Sequence, residues 1–292
     1  METRGRKAKG PSQDGSQLPK GEFILFEKVC RIFTCLLFLF LLPFGQILAS
    51  EIEVFDLKNV DYGIVTINKT NQAFKDKKAK VMIQKNNTTY FYDINESIDT
   101  FPLQMGSGTY KLTLLEYIES NKYKAEDSED IQIKLKDENI SFLQSASPVC
   151  WHKDGQAAKM AAKLSEEMET DEQKAYAIYE YITKNIKYDK SKIAHLRNDY
   201  IPSVDEVLSS CSGICFDYAA LYAAMLRSIN IPTKLVKGYK GDIDSYHAWN
   251  EVYLPKEGWV TIDTTYDAIM IENGKDSVFK KDRNEYKKEK EY

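Results

Sequence analysis

The chain has 292 residues, 40 Lys+Arg against 44 Asp+Glu and a formal net charge of −4, with 43% hydrophobic and 29% charged residues. That balance supplies a core and excludes a disordered chain. The acidic excess argues against nucleic acid as the main partner, because phosphate binding needs a basic excess. Histidine is scarce, at three, so histidine chemistry has only three candidates.

Residues 1–50 read as an export segment. Arg4, Arg6, Lys7, Lys9, Lys20, Lys28 and Arg31 form a basic leader; an apolar run covers 32–44, and Ala49 marks a small-residue cleavage site. The run contains Pro43 and is shorter than the about 20 residues of a membrane span. A cleaved signal peptide is therefore expected, with a retained N-terminal anchor as the alternative. Either places the rest of the chain outside the cell or at its surface.

Residues 51–145 alternate with period 2. Strands are predicted at 52–57, 60–67, 81–84, 89–94, 109–118 and 131–135, separated by turn-like clusters. This is the pattern of a small antiparallel, Ig-like β-sandwich. It has no His and no Cys, and reads as a spacer or binding module beside an active domain.

Residues 146–274 switch to helical spacing. A helix is predicted over 156–168. Thr170 and Gln173 then make a capping box, and Ala175, Ile178, Tyr179, Ile182 and Ile186 line one face of a second helix ending near 188. A polar loop follows over 189–200, and Ser203 with Glu206 caps a short turn to 208. Cys211-Ser212-Gly213-Ile214-Cys215 opens a helix to about 229 that is apolar nearly all round, hence buried. Asn230 and Pro232 stop it. Strands are predicted at 233–239, 246–254 and 259–264. The segment 275–292 is dense in charge and is expected as a solvated tail. The class is α+β.

Cys215 lies at the start of a predicted helix, where free N–H groups and the helix dipole favour an anion. His247 sits on a strand whose one face carries His247, Trp249, Glu251 and Tyr253. An imidazole beside the cysteine could take its proton and stabilise the thiolate. A five-residue loop, 254–258, would set Asp263 opposite Trp249, on the face of His247 and diagonal to it. A slip of one residue would turn Asp263 away. A carboxylate there would fix the imidazole tautomer and steady its charged form. Each residue also has a plain structural reading: a buried thiol, a satisfied strand histidine, an Asp starting a turn.

The runs Gly213-Ile214-Cys215-Phe216-Asp217-Tyr218-Ala219, Leu226-Arg227-Ser228-Ile229-Asn230-Ile231-Pro232, His247-Ala248-Trp249 and Gly258-Trp259 with Asp263-Thr264-Thr265 together resemble the transglutaminase-like superfamily, especially its bacterial secreted members. The resemblance covers about 170–268. It implies a papain-like α+β domain with Cys215 as nucleophile, His247 as base and Asp263 as its orienting acid. It also implies amide chemistry through a thioester: hydrolysis, deamidation or crosslinking of protein or cell-wall peptides. Thr264 stands where many members carry proline. No side-chain oxyanion donor is assigned, and no motif calls for calcium or a cofactor. The competing reading is a non-catalytic surface module with an occluded triad.

The remaining residues offer weaker constellations. Cys150, His152, Cys211 and Cys215 could supply four zinc ligands, but their spacings are poor and His247 and Asp263 would be idle. The cysteines beyond residue 50 are Cys150, Cys211 and Cys215, an odd number. A Cys150–Cys211 disulfide is the favoured pairing, because it spares Cys215. His195 lies in a polar loop and reads as solvated.

Overall fold

The computed structural model describes residues 53–70 and 77–292. The expected export segment lies outside them. Among the described residues no helix is long and apolar enough to cross a membrane.

Seven antiparallel strands build the first layer pair: β1 Phe55–Asp56, β2 Ile64–Asn68, β3 Ala79–Lys85, β4 Thr88–Ile94, β5 Ile98–Pro102, β6 Gly108–Glu119 and β7 Lys122–Ile133. They form two sheets, β1-β2-β5 and β4-β3-β6-β7. Alternation explains the packing. Val65, Ile67, Val81, Ile83, Phe101, Tyr110, Leu112 and Leu114 point inward and are fully buried in one core. The turn of the β3–β4 hairpin is Asn86-Asn87, with Asn86 at φ 53°, a conformation asparagine tolerates.

Three local expectations change. The predicted strand at 60–67 starts with a 3₁₀ turn, Val60–Tyr62, and is extended only from Ile64. Gly63, at φ 77°, ends that turn. β5 was not expected, since Ile98-Asp99-Thr100-Phe101 carries too brief an alternation. β7 begins at Lys122 rather than 131, because its first half is an exposed edge of charged residues.

Helices α1 Gln156–Ser165 and α2 Asp171–Asn185 follow, then a two-residue strand β8 Lys187–Tyr188 and short helices α3 Lys190–Ile193 and α4 Val204–Ser210. Strand β9 Ser212–Gly213 pairs in parallel with β8 and leads into α5 Cys215–Ser228. The capping box of α2 forms as expected: Gln173 N–H donates to Thr170 Oγ1 (3.2 Å), and Thr170 N–H to Gln173 Oε1 (3.0 Å). Its apolar face is buried. Ser203 precedes α4 but makes no side-chain cap. Instead Asp205 reaches across and accepts from Gln156 N–H (3.1 Å) and Ala157 N–H (2.8 Å), capping α1.

α5 is buried from Asp217 through Arg227, as its all-round apolar sequence requires. It packs on an antiparallel sheet of β10 Thr233–Lys240, β11 Ile243–Leu254, β12 Gly258–Ile262 and, after α6 Thr264–Glu272, β13 Tyr286–Glu291. The sheet order is β12-β11-β10-β13. The charged segment after 275 is therefore not wholly a solvated tail. Its lysines and glutamates sit on a sheet edge, while Tyr292 packs against both cores and sets its ring against Tyr90 and Tyr92.

Arg227 ties these parts together. Its guanidinium is 3% exposed. It donates to the carbonyls of Thr233 (2.9 Å), Gln144 (3.0 Å) and Tyr292 (2.8 Å), one at the start of β10, one at the end of the sandwich and one after β13. Arg227→Met keeps the stem but leaves three carbonyls without their charged donor. It should lower unfolding stability by about 3 kcal/mol, read from the urea midpoint. An unchanged midpoint would show that Arg227 does not hold the junction.

Candidate active site

The hairpin β11–β12 pairs Asn250 with Ile262 and Leu254 with Gly258. Continued by one step, that register sets Asp263 opposite Trp249, as the loop length predicts. The two side chains meet: His247 Nε2 lies 2.8 Å from Asp263 Oδ2, with His247 5% and Asp263 0% exposed. Asp263 also begins a turn, since its Oδ1 accepts from Tyr266 N–H (3.0 Å) and caps α6. One carboxylate thus both contacts the imidazole and caps a helix. Its charge faces the positive end of a helix, which favours it.

Cys215 stands at the first position of α5 and is half-buried. The start of the helix is fixed by Asp217, a fully buried carboxylate. Asp217 accepts from Ile214 N–H (2.8 Å) and from Lys192 Nζ (2.7 Å), and the Tyr200 hydroxyl donates to it. Gly213 makes the turn possible, because a Cβ there would come within 2.7 Å of Asp217 Cβ. Asn250 holds the helix against the histidine strand: its amide donates to the carbonyls of Ala219 (2.9 Å) and Lys234 (3.1 Å).

The Cys215 sulfur and the His247 ring are near enough to affect each other. Burial works against charge on the imidazole, but Asp263 and then Cys215 outweigh it and raise its pKa to about 10. With Nε2 committed to Asp263, Nδ1 is the nitrogen left for the sulfur. The structure thus brings together Cys215, His247 and Asp263, the three residues the sequence singles out. It does not bring in the others. His152 and His195 are exposed and bonded locally, His195 Nδ1 lying 3.1 Å from Ser191 O. Cys150, Cys211 and Cys215 are free thiols, so the favoured Cys150–Cys211 disulfide is absent. Cys211 instead closes α4 in a left-handed conformation, φ 51°, its sulfur 3.5 Å from Leu208 O. Among the described residues no cluster of His, Cys, Asp and Glu is arranged to hold a metal.

Two tyrosines escaped the sequence reading. Tyr286 on β13 donates its hydroxyl to Asp263 Oδ2 (3.1 Å) and packs on Trp249 (5.0 Å between rings), which in turn stacks on His247 (6.2 Å). Burial and the adjacent Asp263 keep its phenol protonated. Tyr188, on β8 opposite Gly213, is half-buried near the sulfur; burial and then Cys215 raise its pKa.

The folded chain holds the His247 proton far more tightly than an unfolded one, whose histidine titrates near 6.5. The resulting stabilisation is complete below about pH 6.5 and is lost as pH rises through about 10. Asp263→Asn should move the His247 imidazole titration, followed by NMR, back toward neutral pH and flatten that pH dependence. A titration unmoved by the change would remove Asp263 from the pair.

Residues 158–264 match the model of the transglutaminase-like superfamily. The chain is 24% identical over 212 residues to the uncharacterized protein YebA of Bacillus subtilis (strain 168), covering 66% of this chain and 28% of that one. It is 34% identical over 85 residues to a protein-glutamine gamma-glutamyltransferase of Pseudomonas aeruginosa, covering 24% of this chain and 13% of that one. The chain therefore spans under a third of the length of either relative. Among solved structures it is similar to the periplasmic domain of TgpA from Pseudomonas aeruginosa, at 16% identity and TM-score 0.36, covering 72% of this chain and 70% of that one. The likeness to the transglutaminase-like superfamily thus lies in residues 158–264, the part of the α+β region that carries Cys215 and His247 and reaches Asp263.

Proposed function

We propose that this chain is a cysteine acyltransferase or hydrolase acting on amide bonds through a Cys215-His247-Asp263 triad. The observation that carries the reading is the 2.8 Å pair of His247 and Asp263 beside a sulfur at a helix start. In the mechanism, the Cys215 thiolate attacks the amide carbonyl carbon. The imidazolium gives its proton to the leaving nitrogen as the C–N bond breaks, and a thioester remains on Cys215. Water or an amine then attacks the thioester; its proton passes to His247, and the C–S bond breaks to regenerate the thiolate. Water gives hydrolysis or deamidation, whereas an amine gives a crosslink.

Asp263 holds the ring in one tautomer and balances its charge. Backbone N–H groups at the start of α5 would receive the developing oxyanion, and Tyr188, half-buried near the sulfur, is the side chain we put forward as a further donor. The substrate class is protein or cell-wall peptide amides. Glutamine is the first side chain to test, because a relative matching over 85 residues is named for glutamine transfer. The basic leader and apolar run before Ala49 support export to the cell surface or beyond.

The test is turnover of labelled glutamine and cell-wall peptides by the full chain, with and without an amine donor. Cys215→Ala should abolish turnover. Activity that survives this change would end the mechanism, and a folded chain inert toward every peptide would favour the binding-module reading. Separately, Tyr188→Phe should lower kcat by about tenfold or more with little change in KM, as loss of an oxyanion donor does. An unaltered kcat would exclude that role.

A further inference from the structure

A cavity of about 150 Å³ lies between the sandwich and the cysteine domain, lined by Phe216, the residue after Cys215. Its walls are partly aromatic, with Phe91 and Tyr92 from β4, Tyr200 from the loop after α3, Phe216 from α5, and Tyr292, and partly polar, with Asp93, Ser147, Asn198 and Asp199. Phe91 is 53% exposed. One cation enters the cavity wall, Lys237 of β10.

Lys237 is held by aromatic rings, Phe216 and Tyr292, rather than by a carboxylate. Its Nζ sits 3.3 Å from the centroid of the Phe216 ring, one residue from Cys215. Two nearby lysines of this sheet do have carboxylates, Lys234 with Glu291 (3.1 Å) and Lys288 with Glu251 (2.9 Å), whereas among the described residues no carboxylate lies in ion-pair range of Lys237. The charged groups acting on Lys237 are the Cys215 sulfur and a second cation, Lys290. Burial lowers its pKa to about 8. The two carboxylates that reach the cavity are already engaged, Asp93 by Lys80 (2.7 Å) and Asp199 by Arg197 (2.7 Å). Apart from the Cys215 sulfur, this half-buried cation meets no anion among the described residues that is not already committed elsewhere.

We infer that this cavity is an acyl-donor subsite in which Lys237 pairs with a carboxylate of the substrate peptide. A cavity of about this size takes up a benzene-sized group, so it has room for one acidic side chain or a chain-terminal carboxylate. The aromatic walls would cover the methylenes, and the ammonium would receive the carboxylate. The inference deepens the amide-chemistry reading and rests on it for the word donor. The pocket itself is independent of whether Cys215 reacts.

The test separates the two. Calorimetry on the full chain carrying Cys215→Ala measures binding of three peptides of equal length: one with an internal glutamate and an amidated end, one neutral with a free carboxylate, and one neutral and amidated. The two acidic peptides should bind about tenfold or more tighter than the neutral one, or only one of them should, which would tell side chain from terminus. Lys237→Met should abolish the preference, and Lys237→Arg should keep it. Equal binding of all three, or a preference that Lys237→Met leaves intact, overturns the inference. A second readout uses two alkylating reagents of nearly equal size on the chain with Cys215 present. The ratio of iodoacetate to iodoacetamide rates at Cys215, resolved by peptide mass spectrometry, should fall about tenfold in Lys237→Met and recover in Lys237→Arg. Equal slowing of both reagents would mean that Lys237 serves the sulfur, and would overturn the subsite. A Cys215 inert to both defeats the thioester reading, while the peptide binding still decides the subsite.

Discussion

The architecture of the cysteine domain turns on one buried carboxylate. Asp263 receives donors from three elements: the His247 ring on β11, the Tyr286 hydroxyl on β13 and the Tyr266 amide at the start of α6. A fully buried charge without partners costs several kcal/mol. The fold can keep Asp263 only if strand, edge strand and helix all arrive together. The same group that would orient the imidazole therefore also specifies the packing. Foldability and chemistry are imposed on this position by a single electrostatic demand, and it is hard to change one without the other.

Much of this site was readable from residue spacing, and the reasons are physical. The hairpin loop length set the register of β11 against β12, and strand alternation set the face, so the approach of His247 to Asp263 followed from counting. Cys215 was placed by the glycine and the apolar helix after it. What remained hidden depended on non-local packing. α6, at Thr264–Glu272, has apolar residues all round and β-branched residues at its start, so it lacks an amphipathic period. Tyr286 sits among lysines and glutamates that read as a solvated tail, because an edge strand needs charge on its open side. Tyr188 lay at the boundary of a helix, with nothing nearby to suggest a role. Lys237 looked like an ordinary strand lysine, since only the placement of the sandwich shows what surrounds it.

The sandwich is likewise more than a neighbour in sequence. Gln104 donates to Glu291 O (3.2 Å) and to the Tyr92 hydroxyl (2.7 Å), joining the sandwich to the last strand of the other sheet. Phe91 and Tyr92 wall the cavity beside α5. The His247–Asp263 pair and part of the wall of the nearby cavity thus come from different sheets of the chain.

Gly238 shows how far this dependence reaches. A methyl group at that position would meet Lys287 O at 2.1 Å and the Trp249 ring at 3.0 Å. The first contact is with main chain, which cannot swing aside as a side chain could. Any larger residue would pry the terminal edge away from β10 and carry the Tyr286 hydroxyl off with it. The acid would then lose a donor through a change at a residue that bears no functional group. In this molecule the absence of a single carbon atom protects a hydrogen bond to a group two strands away.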